Sequence, residues 1–298
     1  MGSISESKPY IEAAVPYYPK PMKEYTAGQL AQYRWPSDKS LRKVYDLRYH
    51  PELAVDNVGF QLISIDPSAE DNFDDRDWVI ANIYPQTQDA IATATGASRV
   101  KCFSHLVRRN KHSEIKHMID DKNLPDETPT GIVPPSPAVH IDQSAAGSLE
   151  ILRDNLPAAE AEEIERSGKR WAIINLWRPI KPVKRDPLCV CDARTVDKDD
   201  LVIQRVWLTQ NPNFAKISAG NSFETVGVKP NPKHTWYYCS DMMPDEALLI
   251  KIHDSTAPGG QFGNGIAGGI PHTGLQIPWT EELPARESCE LRCLVFWD

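Results

Sequence analysis

The sequence predicts a mainly β protein, a sandwich or barrel of short strands with a few flanking helices. Three observations favour this fold class. The 298 residues include 25 Pro against 16 Gly, with 8 Trp, 10 Tyr and 7 Phe, which suits short strands and rigid loops better than a helix bundle. The second half of the chain consists largely of short apolar runs separated by Pro, Asn, Asp and Gly. Hydrophobic residues make up 41% and charged residues 25%, so the chain has the composition of an ordinary folded protein.

The charge balance excludes one class of partner. Asp and Glu number 41 against 33 Lys and Arg, and the resulting net charge of −8 would repel a phosphate backbone. We therefore predict no binding to nucleic acid. No stretch approaches the roughly 18 apolar residues of a spanning helix, and residues 1–8 lack the basic and apolar segments of a secretion signal. From this we expect no membrane association and a cytoplasmic location.

The six cysteines indicate packing rather than disulfides or a zinc site. Cys189 and Cys191 lie one residue apart and would face the same side of a strand. No second pair stands at zinc-site spacing, and a free cysteine packs as a small hydrophobe. We interpret both as packing residues.

We predict a single domain over residues 1–298, with three parts in chain order. Residues 1–40 are rich in Tyr and Pro without a period, which predicts an arm that wraps the core. Residues 41–130 predict a buttress in which LRKVYDLRY and VGFQLISI are strands and the apolar spacing over about 75–110 favours helix. Residues 131–298 predict the β core.

The predicted core begins with a strand, SPAVHID, and a helix over Ser148–Ser167 that Gly168 ends. Six β-rich runs follow, WAIINLW, LCVCD, LVIQRVWL, TWYYCS, EALLIKI and ESCELRCLVFW. In the last run, apolar and polar residues alternate over 288–295. This alternation predicts a strand with one buried face and one polar face.

A glycine-rich stretch, GGQFGNGIAGG, lies between the runs EALLIKI and ESCELRCLVFW. Its Gly263, Gly265 and Gly268 have the spacing of a dinucleotide-binding fingerprint. That fingerprint needs a following helix, which Pro271 and the neighbouring glycines forbid. We therefore reject a nucleotide site and predict a mobile loop over a pocket, with a plain surface loop as the alternative.

His140 and Asp142 in AVHIDQS predict a metal site. A His-x-Asp step on an extended strand places both side chains on one face. His272 in GIPHTG adds a third ligand. Two histidines and one carboxylate on one side of an ion leave three positions open, which is the ligand set of non-haem Fe(II) oxygenases. His253 in KIHDS is the alternative third ligand, less favoured because it lies too far before the last strand.

Arg286 and Ser288, at the start of the last strand, predict an anion clamp. A guanidinium makes two parallel contacts with a carboxylate, and a nearby hydroxyl adds a donor. The pair would hold the far carboxylate of a dicarboxylic co-substrate. Arg292 is the alternative clamp, and an ordinary arginine at a strand start is the simpler interpretation.

In chain order, His-x-Asp, a long β-rich interval, His and Arg-x-Ser resemble the pattern of iron- and 2-oxoglutarate-dependent dioxygenases. Over about 135–297, the chain resembles the fungal hydroxylase/desaturase family related to gibberellin desaturase and to a cephalosporin methoxylase component. The motifs that carry the resemblance are VHIDQS, NLWRPI, PLCVCDAR, HTWYYCSDMMPDEALLIKIHDS, PHTG and RESCELRCLVF. The N-terminal third matches only loosely.

The resemblance implies a double-stranded β-helix, or jelly-roll, that carries Fe(II) and uses 2-oxoglutarate and O₂. It implies that His140, Asp142 and His272 are the iron ligands, and that Arg286 with Ser288 is the 2-oxoglutarate clamp. The implied reaction is oxidation of an unactivated C–H bond of a small molecule, usually in secondary metabolism, by hydroxylation, desaturation, epoxidation or ring formation.

Two other functions stay open on the residues alone. One is a non-redox jelly-roll metalloenzyme, an isomerase or hydrolase, and the other is a binding or scaffold protein whose His-x-Asp pair is incidental. The sequence leaves the substrate, the number of oxidations and the oligomeric state open, and a homodimer is compatible with it.

Asn175 and Trp177 alternate onto one face of WAIINLWRP, with Arg178 on the other. We predict that four side chains line a substrate pocket: Asn175, Trp177, Arg178 and Tyr238. Ordinary buried strand residues are the alternative. Three histidines of a polar, basic stretch are predicted to be solvated and without a role: His105, His112 and His117.

Overall fold

The computed structural model describes residues 9–18, 24–35, 37–68, 70, 72–132, 134–136, 138–208, 220–257, 262–263 and 265–298. The helices in these ranges are α1 (Leu30–Arg34), α2 (Val55–Val58), α3 (Arg76–Thr95), α4 (Lys116–Asp120), α5 (Ala145–Asn155) and α6 (Ala158–Ser167). The strands are β1 (Tyr10–Tyr17), β2 (Tyr25–Thr26), β3 (Asp38–Asp46), β4 (Phe60–Ser64), β5 (Arg99–Arg108), β6 (His140–Ile141), β7 (Trp171–Pro179), β8 (Leu188–Cys191), β9 (Leu201–Trp207), β10 (Ser222–Val228), β11 (Trp236–Tyr238), β12 (Glu246–Asp254), β13 (Phe262–Gly263), β14 (Ile266–Ala267), β15 (His272–Gly274) and β16 (Ser288–Phe296). No helix in the described ranges is long and apolar enough to cross a membrane.

Most strands belong to two large sheets. The nine-stranded sheet has the order β1-β3-β11-β8-β15-β6-β10-β9-β2, and the five-stranded sheet has the order β4-β12-β7-β16-β5. Neighbouring strands are mostly antiparallel and far apart in the sequence, as in a jelly-roll. The mainly β jelly-roll with flanking helices is therefore confirmed.

Apolar side chains from both sheets meet in the space between them, which we call the barrel interior. Ile173 of β7, Val190 of β8 and Ile250 of β12 belong to this cluster. A second apolar cluster lies outside the five-stranded sheet, where Ile83 of α3 packs with Leu176 of β7. Strand β7 is therefore buried on both faces.

Helix α3 covers the outer face of the five-stranded sheet. The side chain of Asp75 accepts hydrogen bonds from two backbone N–H groups of the first turn, and Gly96 ends the helix at a φ of +65°. The predicted helix over 75–110 is correct in this part and wrong beyond it. Residues Arg99–Arg108 form β5, because they pair with β16 along its whole length.

The predicted helix over Ser148–Ser167 is two helices, α5 and α6. They are separated at Leu156, which precedes Pro157, and proline disfavours helical backbone in the residue before it. Gly168 ends α6 at a φ of +66°, as predicted.

The N-terminal region contributes strands to both sheets. β1 pairs with β3 over its whole length, and β3 pairs with β11, so the predicted arm supplies an edge of the nine-stranded sheet. β4 and β5 are the two edges of the five-stranded sheet. The predicted strands LRKVYDLRY and VGFQLISI are confirmed as β3 and β4 in their main part, whereas Leu47–Tyr49 forms a short 3-10 helix and Val58 ends α2.

The last strand, β16, departs from its prediction in one respect. Its residues alternate as predicted, but all nine are buried, including the polar ones. Cys289 and Leu291 pack in the cluster beneath α3, whereas Leu294 lies in the barrel interior. The polar side chains that share the Leu294 face, Glu290 and Arg292, therefore point inward rather than to solvent.

The structure also bears on the predictions for the two cysteines of β8 and for the glycine-rich stretch. Cys189 and Cys191 are buried in an apolar cluster outside the nine-stranded sheet, which confirms them as packing residues. The glycine-rich stretch forms the β13–β14 ribbon in the part that is described. Its residues 259–261 and 264 lie outside the described residues, and the loop role stays a prediction.

Candidate metal centre

Neighbouring strands β6 and β15 bring His140, Asp142 and His272 together. His272 pairs directly with His140 across the two strands. One ligand atom from each of the three residues lies within 4.8 Å of the others. Asp142 Oδ1 is 3.3 Å from His140 Nε2 and 3.5 Å from His272 Nε2. We call these three residues the metal-ligand cluster.

A backbone carbonyl orients each histidine ring. His140 Nδ1 lies 2.9 Å from the carbonyl oxygen of Ala138, and His272 Nδ1 lies 3.1 Å from that of Ile270. When Nδ1–H donates to these carbonyls, Nε2 keeps its lone pair and faces the cluster. This is the arrangement that a metal-binding histidine requires.

Asp142 is held in its ionised form. Burial opposes ionisation, but when Nε2 of His140 and His272 carries a proton, hydrogen bonds from the two rings, together with the charges of His272 and Arg292, hold the pKa of Asp142 well below its usual range. A bound cation would take the place of these protons. The second carboxylate oxygen, Oδ2, accepts a hydrogen bond of 2.9 Å from Asn175 Nδ2. Asp142 therefore presents a negative charge to any bound cation.

The donor set fits a divalent iron ion, because two imidazole nitrogens and one carboxylate oxygen converge from one side. The alternative ligand, His253, lies elsewhere. Its ring packs against Trp171, with centroids 4.7 Å apart, and burial lowers its pKa to about 4. Within the described residues, His253 is not a member of the cluster.

A cavity of about 80 Å³ opens beside the cluster. Aromatic and basic side chains share its lining with His140 and Asp142: Tyr25, Tyr33, Phe223, Arg108 and Arg292. A second cavity of about 560 Å³ shares Tyr33 and Ser136 with the first, so the two lie side by side.

Arg292 is engaged by two carboxylates. Its Nη2 lies 2.7 Å from Glu290 Oε1, and its Nε lies 3.6 Å from Asp142 Oδ2. Arg108 donates to the carbonyl oxygen of Pro134. The charges of Glu290 and Asp142 offset those of Arg292, which is buried, and of Arg108, which is half-buried.

A third arginine, Arg286, is buried and has contacts different from those of Arg108 and Arg292. It is 5% exposed, donates from Nη1 to the carbonyl oxygen of Asp186 at 2.7 Å, and lies over the ring of Trp177. Burial, with the charge of Arg108, lowers its pKa to about 10, so it stays charged at neutral pH. Its Nε has no hydrogen-bond partner among the residues that the structure describes. A buried, charged donor of this kind fits an anionic ligand.

Comparison with known proteins identifies the family. The family model described as an oxidoreductase/YMDC permease-like domain matches residues 8–296. The hydroxylase/desaturase efuI of Hormonema carpetanum is 35% identical over 289 residues, which cover 93% of this chain and 92% of that protein. The chain belongs to the fungal hydroxylase/desaturase family. The family predicted from the motifs is thereby confirmed.

A second relative of this chain is the alpha-ketoglutarate-dependent dioxygenase phiK of a fungal species. It is 32% identical over 253 residues, which cover 85% of this chain and 82% of that protein. Among solved structures, the iron and alpha-ketoglutarate-dependent endoperoxidase NvfI has a TM-score of 0.69 at 21% identity, covering 98% of this chain and 99% of that one. That likeness shows a shared fold.

Two of the four predicted pocket residues of this chain face the barrel interior, and two do not. Asn175 contacts Asp142, and Trp177 lies in the interior apolar cluster. Arg178 points to the α3 side of the sheet, where its Nη2 donates to a backbone carbonyl. Tyr238 lies in the apolar cluster outside the nine-stranded sheet. Contrary to the prediction, Arg178 and Tyr238 therefore lie away from the metal-ligand cluster, since each is on the outer face of its strand.

The predicted solvation of the three histidines holds only for His117, which is exposed. His105 lies in β5, with its Nδ1 3.0 Å from the hydroxyl of Tyr84. His112 lines the larger cavity, and burial lowers its pKa to about 4. The polar local sequence gave no sign that His105 lies in an edge strand or that His112 lines a cavity.

Sequence reasoning missed several residues of the site, among them Arg108, Glu290 and Tyr33. Glu290 could have been found, because it shares a face of β16 with Arg292. Arg108 and Tyr33 carry no local signal, since neither lies in a motif with the spacing of a metal or anion site.

Proposed function

We propose that this hydroxylase/desaturase is an Fe(II)- and 2-oxoglutarate-dependent dioxygenase that oxidises an unactivated C–H bond of a small molecule in fungal secondary metabolism. The convergence of His140 Nε2, His272 Nε2 and Asp142 Oδ1 carries the proposal. Two relatives similar over more than four fifths of the chain support it, one described as a hydroxylase/desaturase and one as an alpha-ketoglutarate-dependent dioxygenase.

With 2-oxoglutarate and O₂, bound iron supplies an oxidant able to remove a hydrogen atom from a C–H bond, leaving succinate and CO₂ as co-products. The residues of the metal-ligand cluster would hold the ion from one side. Their arrangement leaves the other side for the co-substrate and O₂. Ionised Asp142 offsets part of the charge of the ion.

Arg286 is the residue best suited to hold the far carboxylate of 2-oxoglutarate. It is buried, it is charged, and its Nε has no partner among the described residues. Ser288, also buried, begins β16 two residues later and offers a hydroxyl donor. Arg292 is less suited, because Glu290 already engages its guanidinium.

The substrate would enter beside Tyr25, Tyr33 and Phe223, whose rings line the cavity at the cluster. Aromatic walls favour a substrate with apolar surface. Whether hydroxylation, desaturation, epoxidation or ring formation follows depends on how the C–H bond is positioned against the iron.

An anaerobic titration with Fe(II) and 2-oxoglutarate tests this function without a known substrate. The chelate of the two has a weak visible charge-transfer band, which we expect in the wild type. We expect Arg286→Ala to need about 10- to 100-fold more 2-oxoglutarate, the loss of one charged hydrogen-bonding partner. Arg178→Ala, on the outer face of β7, is the matched control and should titrate like the wild type.

The alternatives give different results. Metal binding without a band at any 2-oxoglutarate concentration would favour the non-redox metalloenzyme. A protein that binds no metal would favour the binding or scaffold protein. If Arg292→Ala weakened 2-oxoglutarate binding and Arg286→Ala did not, the clamp would be Arg292.

A further inference from the structure

The two oxygens of Asp142 have different surroundings. Oδ1 faces the Nε2 atoms of His140 and His272, at 3.3 and 3.5 Å. Oδ2 faces the opposite way, toward Asn175 and Arg292 of the five-stranded sheet. One side of the carboxylate therefore belongs to the metal-ligand cluster, and the other is held by the sheet that packs against it.

Asn175 is completely buried in the middle of β7, and its Nδ2 is 2.9 Å from Asp142 Oδ2. Only the amide NH₂ group can hydrogen-bond an ionised carboxylate, which determines the orientation of the amide. Its Oδ1 has no hydrogen-bond partner among the described residues. A buried amide with one unsatisfied oxygen costs stability, so packing alone does not account for asparagine here.

Register brings a positive charge near the same oxygen, as an ion pair rather than a hydrogen bond. Arg292 of β16 lies directly opposite Asn175 of β7, so both side chains project from one face at one level of the sheet. Arg292 Nε lies 3.6 Å from Asp142 Oδ2, and Glu290 holds the other end of the guanidinium at 2.7 Å. Two opposed residues on adjacent central strands thus converge on Oδ2.

We infer that Asn175 and Arg292 are positioning residues that hold Oδ2 of Asp142 and so present Oδ1 alone to the metal. The inference rests on the proposed function, because it requires a metal at the cluster. Asn175 makes the larger contribution to holding this oxygen, because its Nδ2 is closer to Oδ2 than Arg292 Nε is.

Holding one oxygen has a chemical consequence. A carboxylate free to rotate can bind an ion through both oxygens and take a position that 2-oxoglutarate or O₂ needs. A carboxylate held at Oδ2 binds through one oxygen and leaves three positions open. Groups that orient a metal ligand in this way typically account for a 10- to 100-fold difference in metal affinity.

Anaerobic titration with Co(II), which replaces Fe(II) and has visible bands sensitive to coordination number, tests the inference without turnover. Two variants are close to asparagine in shape. Asn175→Leu removes the donor, and Asn175→Asp replaces it with a second carboxylate facing Asp142. Leu176→Ala, on the outer face of the same strand, is the control for lost stability, which thermal unfolding measures for every variant.

We expect Asn175→Leu to weaken Co(II) binding about 10- to 100-fold and to alter the visible bands. Asn175→Asp should bind more weakly still, because two carboxylates would face each other. Leu176→Ala should unfold at lower temperature and keep wild-type affinity and bands. A space-filling role predicts the opposite order, with the closely isosteric Asn175→Asp nearest to the wild type.

The inference is overturned if Asn175→Leu binds Co(II) within twofold of the wild type with the same bands, or if Leu176→Ala loses as much affinity. Both results leave the proposed function intact, because the wild type still binds metal. A wild type that binds no Co(II) would overturn the proposed function and this inference together.

Discussion

The two faces of the paired strands β7 and β16 are equally buried and differ in chemistry, although the outer face holds one buried charge, that of Arg178. Toward α3, Leu176, Cys289 and Leu291 form part of an apolar cluster. Toward the barrel interior, the same strands present Asn175, Glu290 and Arg292 among apolar neighbours. Nothing in the exposure of these side chains distinguishes the two faces.

The difference shows why this fold keeps several polar side chains buried on the inner face. A buried charge is costly unless a partner compensates it, so polar residues persist in a core only where they serve one another or a ligand. The outer face stabilises the sheet by apolar contact, and the inner face organises the metal-ligand cluster. Four predictions separate these two roles.

The largest effect is expected from Glu290→Leu on the inner face. It would leave the charge of Arg292 buried without its partner at 2.7 Å, at a cost of about 3–5 kcal/mol in the free energy of unfolding. Urea unfolding measures this. The double variant Glu290→Leu with Arg292→Met, which removes both charges, should be more stable than the single variant. If it is less stable, the pair is not what compensates the inner face.

On the outer face, Leu291→Ala should lower the free energy of unfolding by about 3 kcal/mol, because it opens a cavity in the cluster beneath α3. Co(II) affinity should stay within twofold of the wild type, since Leu291 points away from the metal-ligand cluster. Unfolding and metal titration on one preparation test both statements. A large fall in affinity would show that the two faces are not independent.

A buried histidine of β12, His253, should make the free energy of unfolding depend on pH. Burial lowers the pKa of His253 to about 4 from an ordinary value of about 6.5, so between these values the unfolded chain binds more protons than the folded one. Stability is then complete above pH 6.5 and falls as the pH drops, by about 2 kcal/mol at pH 5.

Urea unfolding of the wild type and of His253→Leu at pH 7.5 and pH 5 checks this. The variant should lose less stability than the wild type on acidification. His117→Gln, on the exposed surface of α4, should behave like the wild type. Equal losses in wild type and His253→Leu would contradict the assignment.

The smallest effect is expected from Arg178→Met on the outer face of β7. Methionine is similar in volume, so the free energy of unfolding should change by about 1 kcal/mol or less. Affinity for 2-oxoglutarate, followed by the charge-transfer band, should not change. A marked loss of 2-oxoglutarate binding would place Arg178 in the site and break the division between the faces.

Much of the site could be predicted from local sequence. The His-x-Asp step places His140 and Asp142 on one face of any extended strand. The order of motifs then selected His272 over His253, and the structure brings His272 into the cluster.

Other features depended on partners that are distant in the chain. Residues Arg99–Arg108 form a strand because β16, nearly two hundred positions later, pairs with them. The contact between Asn175 and Asp142 joins β7 to the residue that follows β6, a strand of the other sheet, and no spacing in the chain encodes it.

The sequence by itself determined the ligand types, the positions of most strands and which residues of each strand share a face, because alternation is a local property of extended backbone. Only the tertiary structure decided which face became the barrel interior. That choice depends on where α3 and the nine-stranded sheet pack, and it assigns Asn175 to the metal-ligand cluster and Arg178 to the outer face. Adjacent residues of one strand acquire different roles because the sheet is covered by different elements on its two sides.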